Sequence, residues 1–218
     1  MKNKPLIYIG SGLLLVIIFI MASMFYKNSQ EEKYSFLASE YNEVFVRNHS
    51  PRYGNENAKV YLTEFLDPEC ESCRAFYPKV KNLLKEFEGK VQLIIRYAPL
   101  HHNSTIAINA IEAARLQGKY WEALALLFEH QPSWGGHHNP NPDHIFTLLP
   151  QLGLDMKKLR SDMNTPRIDK IIKQDREDMS TLGVRKTPSF FVNGKPLQRF
   201  GINYLRDLLE KQISLAYP

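Results

Sequence analysis

The only two cysteines of the 218-residue chain, Cys70 and Cys73, stand three apart where a strand pattern gives way to a helix pattern. Upstream, Val60 to Leu66 is a short, apolar, β-prone run that reads as a buried strand, and Asp67-Pro68 breaks it. Downstream, Phe76, Val80, Leu83, Leu84 and Phe87 recur at helical spacing. A helix is therefore expected from about Cys70 to Glu88, with a kink at Pro78 and Gly89 as its stop. Val91 to Tyr97 is a second apolar run with β-branched residues. Strand, helix and strand at this length predict a βαβ unit with parallel pairing.

This placement gives the Cys-x-x-Cys spacing its chemistry. A thiolate at a helix N-terminus is stabilised by free N–H groups and by the helix dipole. Cys70 is expected at the exposed tip, and Cys73 one turn in, near enough to close a small disulfide. Thiol–disulfide exchange needs such a pair: one thiolate attacks a foreign disulfide and a second resolves the mixed one. A purely structural bridge this short would stabilise little, because the benefit grows with loop length. A four-cysteine zinc site would need a second pair. A Cys2His2 site drawing on His101, His102, His137 or His138 stays open, although paired histidines in loops are more often solvated. Trp121 and Trp134 read as packing residues.

Composition narrows the remaining classes. Two cysteines exclude a disulfide-stapled miniprotein, and 11% aromatic residues exclude a disordered chain. The net charge of +5 comes from scattered basic residues, with no aromatic-interleaved run suited to nucleic acid. Leu6 to Phe25 carries no charge over 20 residues, enough to cross a hydrocarbon core. Lys2 and Lys4 precede it, which keeps the N-terminus cytoplasmic and sends the body of the chain outside. The length favours an uncleaved anchor over a cleaved signal segment, since Ile20 to Met24 offers no good small-x-small site.

Residues 28–57 are polar and read as a tether, with a short helix over Tyr34 to Val46. Ser104 to Thr181 reads as helical around one loop, Gln131 to Asp143, which holds three prolines and two glycines. Thr165-Pro166 looks like an N-cap with proline at the first helical position. Ser189 to Val192, Asn193-Gly194 and Lys195 to Phe200 predict a hairpin, and Asn203 to Leu215 a closing helix.

Glu64 through Cys73, Pro78, Thr187-Pro188 and the frame Pro188-Ser189-Phe190-Phe191-Val192-Asn193-Gly194 resemble the thioredoxin superfamily. The helical block before Thr187, with Ala113-Ala114, Gln117 to Trp121 and Leu127-Phe128, resembles its DsbA-like branch. The resemblance implies an α/β, thioredoxin-like fold over residues 58–218, with a helical insertion at about 104–182. The membrane segment 1–27, a transmembrane helix, and the tether 28–57 would precede it.

The resemblance also implies roles. Cys70 is the expected nucleophile, Cys73 the resolving cysteine, and Pro188 a cis-proline facing the dithiol. Thr187 would offer backbone hydrogen bonds to a substrate strand. Glu64, six residues before Cys70, matches the family's acid that helps move the proton of Cys73; a surface-facing strand glutamate is the alternative. The implied activity is disulfide exchange with extracytoplasmic, cysteine-containing proteins, with no cofactor and with a DsbB-like membrane redox partner. A reductant or isomerase of the same fold, or a copper-binding chaperone using the same cysteines, are the alternatives. Strongly oxidising members often carry proline and histidine between the cysteines. Here Glu71 and Ser72 stand there, preceded by Glu69, and two acids beside Cys70 are expected to raise its pKa.

Overall fold

Two parallel strands form the centre of a five-stranded sheet ordered β1-β3-β2-β4-β5. The structure, a computed structural model, describes residues 4–135 and 140–218. Strands β2 (Val60–Leu66) and β3 (Val91–Tyr97) pair from Val60 opposite Val91 to Leu66 opposite Tyr97. Helix α2 (Glu71–Glu86) joins them, as the pattern predicts. All of β3 and all but Tyr61 of β2 are buried, because helices or loops cover both faces of the sheet. Along β2, Leu62 and Leu66 face the core shared with α2, while Thr63 and Phe65 face the opposite layer.

Strand β4 (Ser189–Val192) pairs antiparallel with β2. Asn193 and Gly194, both at positive φ, turn it into β5 (Lys195–Pro196). The pairing stops short of Phe200. Pro196 has no N–H, and one further bond, Leu197 N–H to Phe190 O at 2.9 Å, closes the ladder. Helix α9 (Ile202–Ala216) packs its buried Leu205, Leu209 and Ile213 against the same core as α2.

The helical block comprises α3 (Ser104–Arg115), α4 (Tyr120–Glu129), α5 (Gln131–Trp134), α6 (Ile145–Leu148), α7 (Met156–Asp162) and α8 (Pro166–Thr181). Helix α5 occupies the start of the expected loop. Trp134 is fully buried there, and its Nε1 donates to Leu127 O at 2.8 Å, which folds the chain back on α4. Trp121 packs edge-on against Tyr53 and Tyr120. Pro166 sits at the start of α8 as expected, but the Thr165 hydroxyl donates to Asp162 O at 2.8 Å instead of capping the helix. His137 and His138 lie outside the described residues.

The N-terminal segment departs most from expectation. Helix α1 (Lys4–Glu40) runs without a break through the apolar stretch and beyond it. Gly12–Glu40 is long and apolar enough to cross a membrane, and its large apolar side chains from Leu13 to Phe25 are exposed. The separate helix expected over Tyr34 to Val46 is the end of α1 followed by a 3-10 turn at Asn42–Val44.

Nor does the polar segment hang free. Tyr34 Oη donates to Leu182 O at 3.0 Å, and Phe45 is fully buried beside Phe191. At Gly194 an added Cβ would come within 2.4 Å of the Ala38 Cβ, so the end of α1 lies directly against the hairpin turn. Strand β1 (Arg52–Gly54) then pairs antiparallel with β3 and covers its edge. Three residues are too few to carry a periodic signal, which is why this strand is silent in the sequence.

Candidate active site

Cys70 occupies the N-cap position of α2 with extended backbone, and Cys73 lies in the first turn behind it. Both thiols are free. The Thr187–Pro188 bond is cis, and Cys70 Sγ, in its protonated form, donates to Thr187 O at 3.3 Å. Residues 117 positions apart in the chain thus meet at one point. Cys70 is not the exposed tip that its position at the helix start implies. It is 7% exposed, with the Thr187 carbonyl against its sulfur, while Cys73 is fully buried.

The two thiols differ sharply in acidity. The Cys70 pKa is lowered to about 5, chiefly by a hydrogen bond from the Cys73 thiol. Burial opposes this, and the Thr187 side chain and the backbone N–H groups of Cys73 and Ser72 add to it. Burial pushes the Cys73 thiol well above its ordinary value, reinforced by the hydrogen bond it gives Cys70 and by the charges of Glu64 and Cys70. One thiol is poised as a thiolate and the other as a thiol.

The expectation that Glu69 and Glu71 raise the Cys70 pKa is overturned. Glu69 is buried and turned away: its carboxylate accepts Asn103 N–H at 2.6 Å and Asn103 Nδ2 at 2.9 Å, at the start of α3. Glu71 is exposed to water in the first turn of α2. Hydrogen bonds to the Cys70 sulfur outweigh both acids.

Glu64 faces the interior, not solvent. At 2% exposure its pKa is raised to about 8, by burial first and by the charge of Cys70 second. Alternation along β2 puts it between Leu62 and Leu66 on the α2 side of the sheet, under the cysteines. The structure therefore brings Cys70, Cys73, Glu64, Thr187 and Pro188 to one end of the sheet.

Asp67 and Gln131 complete the frame, and the sequence reading missed both roles. Asp67 is fully buried. Its carboxylate accepts the N–H groups of Glu69, Leu100 and His101 and the Ser104 hydroxyl, at 2.8–3.1 Å. Its own N–H reaches Cys73 Sγ at 3.5 Å, and its carbonyl accepts the Cys70 N–H at 3.1 Å. Gln131 Nε2, from α5, donates to Pro68 O at 2.7 Å and Cys70 O at 3.0 Å. An aspartate placed before the proline that breaks a strand was the available signal for Asp67. Gln131 gave none, because its partners lie 61 and 63 residues away. Among the described residues, no three His, Cys, Asp or Glu side chains converge as metal ligands.

A family model described as Thioredoxin matches residues 47–211. The chain belongs to this thioredoxin family. The family match begins before Ala58, in keeping with the packing of Phe45 and β1 on the sheet. A thioredoxin-like oxidoreductase from Silicibacter pomeroyi DSS-3 superposes with a TM-score of 0.69 at 28% identity, covering 80% of this chain and 98% of that one. The thiol-disulfide exchange protein alpha-DsbA2 from Wolbachia pipientis shares the fold with a TM-score of 0.71 at 23% identity, covering 85% and 98%. Oxidised BdbD from Bacillus subtilis does so at 0.67 and 21%, covering 76% and 93%. The fold is thus the DsbA-like form expected from the sequence. A Na(+)/H(+) antiporter NhaA from Herminiimonas arsenicoxydans is 30% identical over 145 residues, 66% of this chain and 22% of its own length. The chain spans about a fifth of the length of the curated relatives it matches.

Proposed function

We propose that the protein is a membrane-anchored thiol:disulfide oxidoreductase that introduces disulfides into cysteine-containing proteins outside the cytoplasm. The observation that carries this reading is the opposed acidity of the two thiols, about 5 at Cys70 and well above the ordinary value at Cys73. In the oxidised protein, a substrate thiolate attacks Cys70 Sγ, and the Cys70–Cys73 bond breaks as the mixed disulfide forms. Cys73 leaves and takes up a proton, for which Glu64, with a pKa of about 8, is the donor. A second substrate thiolate attacks the substrate sulfur of the mixed disulfide and expels Cys70 as a thiolate. Two electrons have then passed from the substrate dithiol to Cys70 and Cys73. A membrane disulfide donor of the DsbB class takes them on and restores the bridge.

A stable Cys70 thiolate favours the reduced form and so makes the disulfide a stronger oxidant, which supports oxidation over reduction as the direction. Thr187 and Pro188 flank the attacked sulfur and would align a substrate strand by backbone hydrogen bonds. Lys2 and Lys4 before the apolar part of α1 support an extracytoplasmic, periplasm-facing domain on a single-pass anchor.

The test is oxidation of a dithiol peptide. Cys70→Ser is expected to abolish it, whereas Cys73→Ser, given the peptide in its disulfide form, accumulates a mixed disulfide through Cys70, identified by mass, because no second thiolate resolves it. Equal alkylation rates of the two reduced thiols would contradict the assignment. A mostly reduced pair in intact cells would contradict the oxidising direction.

A further inference from the structure

The loop after β3 brings a second titratable group to the dithiol. His101 Nδ1 lies 2.7 Å from Asp67 Oδ2, and the His101 backbone N–H reaches the same oxygen at 3.1 Å. Asp67 is also the residue whose main chain bonds both cysteines, through Cys70 N–H and Cys73 Sγ. The imidazole is therefore fixed to the same framework as the nucleophile. Its side chain keeps 28% exposure, so it exchanges protons with water.

Among the titratable groups that act on His101 are Asp67, Cys70 and Glu69, all from the segment between β2 and the start of α2 and all anionic when ionised. Burial acts to lower the His101 pKa. The hydrogen bond and charge of Asp67, with the charges of Cys70 and Glu69, outweigh it and raise the pKa. The dipeptide between the cysteines, Glu71-Ser72, contains no cation of its own.

We propose that His101, clamped by Asp67, is a positioning residue of the dithiol: its imidazolium supports the Cys70 thiolate from outside the Cys-x-x-Cys segment and makes the oxidising strength of the pair depend on pH. The proposal rests on the exchange reading above. No proton leaves the ring in this role. A cation beside a thiolate favours the charged form, which stabilises the reduced pair. As pH rises through the His101 pKa the ring loses its charge, and the disulfide becomes a weaker oxidant.

The full chain in detergent, with His101→Gln and His101→Arg variants, tests this through two readouts. One is the pH profile of Cys70 alkylation, assigned by mass; the other is the equilibrium of the pair with reduced and oxidised glutathione. The Gln variant is expected to alkylate at higher pH and to weaken the disulfide as an oxidant about three- to tenfold below the His101 pKa, a size set by a partly water-screened charge pair. The Arg variant should keep the oxidising strength of the parent and lose its inflection at the histidine pKa. A Gln variant that matches the parent in both readouts overturns the proposal, as does an Arg variant that behaves like Gln. Failure of the exchange reading looks different: the parent protein itself would not equilibrate with glutathione, while the alkylation profile would still report on His101.

Discussion

A buried acid on β2, Glu64, and a buried pair on α8, Asp175 and Asp178, gathered by Arg96 one register step along on β3, have opposite fates. On the α8 side, Arg96 is fully buried in β3. It donates to Asp175 Oδ1 at 2.9 and 2.7 Å, to Asp178 Oδ2 at 2.5 Å and to Val44 O at 2.7 Å. Arg47 adds a bidentate pair to Asp178, and His49 Nε2 lies 2.7 Å from Asp175. Asp178 is held below its ordinary pKa: burial acts against this, but the hydrogen bonds and charges of Arg47 and Arg96 win. On the α2 side, Glu64 is equally buried, and what shifts its pKa upward is burial and the charge of Cys70. An acid matched with guanidinium groups stays charged and fastens elements together. An acid buried without that match keeps its proton until near neutrality, which suits it to proton transfer.

Three substitutions break or sharpen this contrast. The largest effect is expected from Arg96→Met, which leaves Asp175 and Asp178 buried without their central cation. Breaking such a cluster costs about 3–5 kcal/mol, to be read from urea unfolding. A loss below about 1 kcal/mol would show that Arg47 and His49 alone can hold the acids.

Glu64→Gln should act in the other direction. The folded pKa of about 8 lies above the unfolded value, so the native state binds the proton more tightly between the two. Wild-type stability therefore falls as pH rises from about 4 to about 8. The amide cannot ionise, so the variant should outlast the parent with rising pH, by up to about 1.4 kcal/mol for each pH unit of that window. Its exchange rate should also lose the inflection near pH 8. An unchanged stability slope would place the proton elsewhere.

The smallest effect belongs to Glu71→Gln. The carboxylate is exposed and water-screened, so the alkylation midpoint of Cys70 should move by about 0.3 pH units or less. A larger fall would restore the repulsion that adjacency in the sequence suggests.

That last case shows what one-dimensional reading lacks here. The βαβ unit, the dithiol at the helix start, the cis-proline loop and the Asn193-Gly194 hairpin were legible, because each is encoded within a few residues by spacing, turn chemistry or motif. The direction of the Glu69 side chain was not, since Asn103, which it binds, lies 34 residues on. The Arg96 cluster was equally hidden. An arginine in an apolar strand announces a needed partner but does not say that Asp175 and Asp178 supply it 79 and 82 residues later. The segment before Ala58 reads as a tether because its contribution is a few anchor points, Phe45, Arg47 and a three-residue strand, rather than a repeating pattern.

The unbroken course of α1 has a consequence for reach. A flexible leash would let a catalytic domain search a hemisphere above the bilayer. A helix that continues from the apolar stretch to a seat on the hairpin works as a mast. From Lys27 to Glu40, at about 1.5 Å per residue, it stands roughly 20 Å tall. With its apolar part in a bilayer, the dithiol would ride at a nearly constant height, and the domain would sample partners by lateral drift and rotation about the mast. Cysteines displayed at that height would be met repeatedly, while those held much closer to or farther from the lipid would have to bend toward it.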